Sequence, residues 1–478
     1  MKTPFFGGMY QAFSPNLDSQ RCINLYLEND ESKQGRDSAA MRGCPGLLLL
    51  CTCGSGPVRG IRNVRGTLYV VSGNEVYTVG ASFAPKLVGA ITTSTGPVQL
   101  SDNGLQVMIV DGTLGYIITI ATGIMTPITA AAFPANPVSV TYFDTFFVVS
   151  QGNSQEFWAS AADDGTTWPG TSFASKEGGS DLLVGLTQVD RQLWLFGENT
   201  TEVWYDAGAT PFPFAQVEGV FIETGAASAA SIVLLDSSVF WLAADQRGQG
   251  IVCRTNGYQP QRISTFAIEN FLSNNYIADA IAYSYQANGH SFYVLTLPTA
   301  DATFVFDVST GLWHERASFD PLTGKFHRHQ SNCSDYFQDG YNVVGDYQNG
   351  NLYYFSDSTA TDNGVTRKWR RSWQALPAGQ NNGREKFYSN LEIFAQTGQA
   401  PQTGQGSIPQ VSLRISNDGG NTFPIELYRN MGKSGETYHR ILFNSLGSSR
   451  NRVFELSGTD PVVPVFVGAE LQVTEGVT

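Results

Sequence analysis

Two short stretches carry residue types that could do chemistry. "SNDGGNTF" places Ser416, Asp418, Gly420 and Phe423 in the spacing of an Asp box, a hairpin signature found in sialidases and in other β-propeller proteins. "DDGTTW" repeats it more loosely, with Asp163, Gly165 and Trp168 in register but Ala161 where the box has Ser. Cleavage of a sialic acid needs three arginines converging on the sugar carboxylate, a Tyr paired with a Glu as nucleophile, and a separate acid. Arg191 is the sole Arg between Gly66 and Gln246, so that constellation is poorly supplied. The boxes read instead as tight turns, in which the Asp side chain accepts backbone N–H bonds and the aromatic packs beneath.

Other candidates are sparser. His327 and His329 in "KFHRHQSNCSDYF" alternate as on one face of a strand and could join Cys333 or Asp335 around a metal, but no fourth ligand has convincing spacing. A surface loop is the simpler reading. Cys44, Cys51 and Cys53 cluster without the gap of a zinc knuckle and without a nearby His. No Walker loop, nucleophile elbow or calcium loop occurs, so no cofactor is expected. "RKWRR", Arg367, Lys368, Trp369, Arg370 and Arg371, is the one dense basic cluster, read as a docking patch for an acidic partner or as an exposed linker.

Charge narrows the function classes. Residues 1–365 hold 17 Lys and Arg against 33 Asp and Glu, whereas 366–478 hold 12 against 9. From Gly66 to Gln246 seventeen acidic residues face Lys86, Lys176 and Arg191 alone, which disfavours stable binding to a duplex there. Six cysteines in 478 residues do not make a disulfide scaffold. The first residues, "MKTPFFGGMYQAF", lack a signal-peptide core, and no apolar run is long enough to span a bilayer. The expectation is a soluble chain made in a reducing cytoplasm.

The elements that must position these residues are repeated hairpins. Units such as "GTLYVVSGNEVYTV", "TFFVVSQGNSQEFWAS" and "QLWLFGENTTEVWYD" recur seven times, from Gly66 to Tyr341, at separations of 39 to 53 residues. Their strands are apolar at consecutive positions, so both faces of each sheet are covered. The predicted fold is all-β: a propeller of about seven blades, six to eight being compatible, over 58–360, with an extended double-sheet solenoid as the competing architecture. Ser264 is placed to cap one short helix over "TFAIENFLSNN". An N-terminal extended segment over 1–57 precedes the ring. A linker over 361–387 follows it, then strands of period two over 388–478 that make a small antiparallel sandwich or barrel.

Several segments together resemble a known family. "SPNLDSQRCINLYLE", "GCPGLLLL", "GLTQVDRQLWLFGENTTEVWYDAG", "FVFDVSTGLWHER" and "RNRVFELSGTDPVVPVFVGAELQV" are similar to the packaged-DNA stabilisation proteins, or tail hub and nozzle proteins, of short-tailed bacteriophages. The resemblance implies a structural virion component, assembled in the host cytoplasm into the virion tail. It implies six copies around the tail axis below a portal and an adaptor protein, in contact with tail needle or fibre proteins. DNA would pass without specific binding, and no membrane or enzymatic activity would be involved. A receptor- or glycan-binding propeller is the alternative, and a sialidase-like hydrolase a weaker one.

Overall fold

The computed structural model describes residues 1–476 apart from 33, 35–37, 245–249, 339 and 381–382. It contains seven radial sheets, each built around one of the repeated hairpins. In blade one the strands Val58–Val64, Thr67–Ser72, Glu75–Val79 and Pro85–Ala90 run antiparallel in sequence order. Blades two to six repeat that order over 99–127, 137–175, 183–222, 233–262 and 281–315. The sequence repeats are the second and third strands of each blade, and the segments between them supply the first and fourth. The turn of the fifth repeat, at 245–249, lies outside the described residues.

The second strands are buried at consecutive positions because a neighbouring blade covers each face. Leu68, Val70 and Val79 pack toward blade seven, with Phe337, Val343 and Leu352. Tyr69, Val71 and Val76 pack toward blade two, with Val107, Ile109 and Ile118. Each gap around the ring holds such an apolar cluster. The first strands approach most closely. A Cβ on Gly60 would stand 2.6 Å from a Leu100 methyl of the next blade, so the position admits no side chain without a shift.

Closure comes from the other end of the chain. Blade seven takes three strands, Ser331–Phe337, Tyr341–Asp346 and Asn351–Ser356, from its own region. Its fourth is Gly46–Thr52, antiparallel to the third with Leu47 opposite Phe355. An N-terminal strand thus completes the last blade and joins it covalently to blade one.

The C-terminal domain departs from the expected boundaries. One of its sheets orders Leu25–Asn29, Ala39–Gly43, Val465–Glu475, Lys386–Ala395 and Ile441–Ser449. The other orders Cys22–Ile23, Trp369–Gln374, Val453–Gly458, Gln410–Ser416 and Ile425–Asn430. That second sheet continues blade six, through Ile23 pairing parallel with Glu315. Residues 361–387 are therefore not simply a linker. They include a paired hairpin, Thr361–Asp362 with Val365–Thr366, and the strand Trp369–Gln374. The expected N-terminal segment likewise contributes to blade seven and to both sandwich sheets.

The single α-helix among the described residues, Phe266–Ser273, is capped by Thr265, whose hydroxyl accepts from the Ile268 N–H; the expected cap, Ser264, bonds Glu269 instead. Ala267, Ile268 and Leu272 are its buried face, while Phe266 turns outward under Arg262.

In the closing strand, Leu47→Ala is expected to cost about 2–5 kcal/mol, because it empties a packed position between blades six and seven. Leu49→Ala, at an exposed position of the same strand, should stay within about 0.5 kcal/mol. Urea denaturation followed by tryptophan fluorescence reads both.

Candidate functional site

The two Asp boxes differ in their chemistry. In the first, Ser416 Oγ donates to Asp418 Oδ1 and accepts from the Gly420 N–H at 2.8 Å. Asp418 Oδ1 also accepts from the N–H groups of Asn421 and Thr422, at 3.0 and 2.9 Å, and Oδ2 accepts the Thr422 hydroxyl. Those bonds, led by Ser416 and Thr422, hold the carboxyl well below the usual range. Phe423 is half-buried beneath the Arg414 guanidinium, 5.2 Å from it. Both carboxylate oxygens serve the turn.

In the second box the turn carboxylate is Asp164. It accepts from the Thr166 N–H and hydroxyl, while Asp163, in left-handed backbone, accepts the Tyr142 hydroxyl at 2.6 Å. Gly165 lies where a Cβ would meet Ile117, Met108 and Phe147, and Trp168 closes the loop by donating to the Gly165 carbonyl.

The histidine and cysteine candidates do not converge. His327 Nδ1 pairs with Asp301 at an exposed position, and His329 is buried with Nδ1 on Ser331 Oγ. Asp335 accepts from the Asn63 N–H, and Cys333 points toward Val58. Among the described residues no group of three or more His, Cys, Asp or Glu could hold a metal.

The basic cluster is largely interior, not the exposed docking patch or linker that the sequence suggests. Trp369 and Arg371 are buried because the strand Trp369–Gln374 is covered on both faces, and Arg367, just before it, is buried against the segment around Cys44. Arg367 donates to the carbonyls of Cys44 and Pro45. Arg371 donates to the Phe5 and Gly8 carbonyls, at 2.8 and 3.0 Å, and to Gln20 Oε1. Lys368 and Arg370 project to the opposite side, over Phe319 and Phe326 of the hairpin Ala317–Asp320/Lys325–Arg328. Arg370 also lies 3.5 Å from Glu455. The four basic residues clamp the N-terminal segment and a hairpin onto the C-terminal sheet in place of an exposed docking patch, while Trp369 packs on Phe466 inside the sandwich.

Most of the acidic residues lie elsewhere, and not all are exposed, Glu202 being fully buried. Residues 129–246, which contain blades three and four and the start of blade five, hold 14 acidic residues against Lys176 and Arg191. Lys176 is fully buried, its ammonium 2.6 Å from Asp181 and from Thr200 Oγ1. Burial would raise the Asp181 carboxyl, but Lys176 and the N–H groups of Asn199 and Thr200 outweigh it and bring the value to about 2.

Within this sector the turns between first and second strands carry Asp144, Asp190 and Asp236 at one equivalent position. Each has φ between 45° and 49°, followed by Thr145, Arg191 or Ser237 also at positive φ. These are type I′ turns, with non-glycine residues where Gly and Asn are usual. All three aspartates are exposed. Their common signal is an Asp two or three residues before each apolar run, in "FDTFF", "VDRQLW" and "LDSSVFW".

A cleft of about 330 Å³ opens on the outer strands of blades one and two, lined by Ile91, Thr92, Leu114, Tyr116, Met125 and Pro127 among others, with no carboxylate in its wall.

The family model described as "Bacteriophage P22 Gp10, beta-propeller" matches residues 1–360, and the one described as "Bacteriophage P22 Gp10, beta-sandwich" matches 368–474. The chain belongs to the bacteriophage P22 Gp10 family. It is thus a phage tail structural protein of the short-tailed phage tail hub and DNA-stabilisation type, an all-β propeller followed by a sandwich. No curated protein matches this Gp10-family chain.

Solved structures that resemble it include the computationally designed Ika8 protein, at 13% identity over 65% of this chain and 99% of that one, with a TM-score of 0.41. The Neurospora crassa Pan2 WD40 domain follows at 11% identity over 63% and 89%, also 0.41. BamB from Moraxella catarrhalis shares 9% identity over 70% and 97%, at 0.38. At these scores they add nothing to an assignment that rests on the family match and the strand order.

The clamp generates a paired test. Arg371→Ala removes the donor from the Phe5 and Gly8 carbonyls and from Gln20 Oε1, while the Arg21 carbonyl keeps the Ser372 N–H, and is expected to cost about 3 kcal/mol or more. Lys368→Ala should cost about 1 kcal/mol or less, the worth of one half-exposed cation–π contact. Chemical denaturation of both variants checks the difference.

Proposed function

We propose that this Gp10-family chain extends the DNA channel of a short phage tail below the portal and adaptor and helps retain the packaged genome, without catalytic chemistry of its own. The observation that carries the reading is the family match across both domains. Two physical features support it.

The first is size. Seven sheets packed about 10 Å apart set the inner strands on a circle of roughly 11 Å radius. Inward side chains narrow that opening further. B-DNA, whose grooves alone are about 8.5 and 7.5 Å deep, is wider. A genome therefore cannot thread one propeller, and a channel requires several copies around a common axis, six in this reading. Contacts with the adaptor and with needle or fibre proteins belong to the same assembly.

The second is charge. A channel wall with few exposed cations releases few counterions on meeting DNA and leaves the polyanion free to slide. The acidic sector fits such a wall, with its one buried Lys already neutralised by Asp181.

Replacing Asp144, Asp190 and Asp236 together by Lys in assembled tails is expected to slow genome ejection, most strongly at low salt. Single-particle ejection kinetics measure it, and an unchanged rate would remove this sector from the channel wall. Native mass spectrometry of the isolated tail is expected to count six copies of the chain.

A further inference from the structure

Three of the chain's five histidines are buried at one seam, where the N-terminal segment passes between blades six and seven. Tyr26, from the strand Leu25–Asn29, sets its ring 5.2 Å from His290 and 6.3 Å from His314, both of blade six. His329 lies against Phe355 of blade seven, ring centroids 6.2 Å apart, and Phe355 is the register partner of Leu47 in the closing strand. Blade six, blade seven and the N-terminal segment therefore each contact an imidazole.

The charged groups around them are unevenly matched. Arg316, 1% exposed, sits among the rings of Tyr285, Phe292 and Phe355 at 5.0 to 5.5 Å and donates to the Tyr285 hydroxyl. Arg367 lies 3.9 Å from Asp362, and both are buried. Asp307 is bonded to His290 Nδ1 at 2.8 Å, to the Ser309 N–H and to the Thr310 hydroxyl, while Glu28 and Arg42 act on His290 from the N-terminal segment. Cys44, Tyr283 and Tyr285 complete the surroundings as neutral groups, their protons held by burial. His329 bonds Ser331 Oγ, which in turn bonds Tyr283, so its neighbours are hydroxyls. His314 Nε2 is buried with no hydrogen-bond partner. A proton added to either ring thus places a further buried cation near Arg316, and one on His329 also lies near Arg367.

We propose that this seam is an acid-opened latch, in which protonation of His314 and His329 beside Arg316 releases the N-terminal strap from blades six and seven while the remaining blades stay folded. The energetics have a definite sign. Burial first, and Arg316 second, hold both imidazoles well below their ordinary value. Their contribution to closure is complete above the open-state value, about 6.5, and is lost as the pH falls below it toward the depressed closed-state values. Each takes up one proton on opening, so the opening constant rises by up to about tenfold per pH unit per histidine. His290 acts the other way. Its bond to Asp307 raises it, so its contribution is complete below about 6.5 and fades as the pH rises through the raised value.

Hydrogen exchange of the full chain between pH 7 and 5, corrected for the intrinsic pH dependence of exchange, tests this. Amides of Leu25–Asn29 and Gly46–Thr52 are compared with those of Phe146–Gln151 in blade three. The expected result is strap opening that rises by up to about 100-fold per pH unit in the parent, with blade three unchanged. H314Q and H329Q should each reduce the slope to about tenfold, and the double variant should abolish it. H314F and H329F repeat the measurement should glutamine disturb packing. A double variant that keeps the parent slope, or strap and blade three accelerating together in the parent, would overturn the latch.

Discussion

The structure depends on one closure, the pairing of Gly46–Thr52 with Asn351–Ser356. Every blade is apolar on both faces, so a sheet without a neighbour on each side would expose a row of Val, Leu, Ile and aromatic side chains. A ring is the arrangement in which the last blade covers the first. Using a strand from near residue 50 to complete a sheet that begins at Ser331 makes the ring a covalent loop with a single hydrogen-bonded seam. Rupture of that seam also uncovers the contacts that Leu47 and Tyr26 make with blades six and seven.

The same N-terminal segment ties the ring to the sandwich. Cys22–Ile23 bridges the outer strand of blade six to Trp369–Gln374, so a nine-stranded sheet crosses the domain boundary without interruption. Arg367 and Arg371 stabilise this crossing by donating to carbonyls of residues 5–45, a use of guanidinium that satisfies many irregular backbone acceptors at once. The two domains are therefore continuous through one hydrogen-bonded sheet, a property suited to a structural component of a phage tail.

Charge and shape are segregated on this frame. The excess of acidic residues falls in one arc of the ring, while the sandwich attaches through blade six. Because Arg191 is the one other Lys or Arg of the acidic arc and Lys176 is paired internally, the field there is set by carboxylates such as Asp144, Asp190 and Asp236. Their left-handed turns hold them at equivalent heights on successive blades, an arrangement that follows from the repeat itself.

The repeated hairpins were legible because burial on both faces leaves unbroken apolar runs, as in Leu68 to Val71, and because turns need Gly, Asn or Asp. That much determined a propeller of about seven blades and a second β domain with period-two strands. Tertiary structure alone decided where "GLLLLCT" pairs, since an apolar strand does not encode a partner 300 residues away. It also decided that "RKWRR" is interior, because carbonyls and rings from distant segments surround it. Likewise Asp164, and not Asp163, closes its turn, because backbone geometry chooses between adjacent carboxylates of identical chemistry. Local pattern reports how a segment is covered; what covers it is a property of the folded chain.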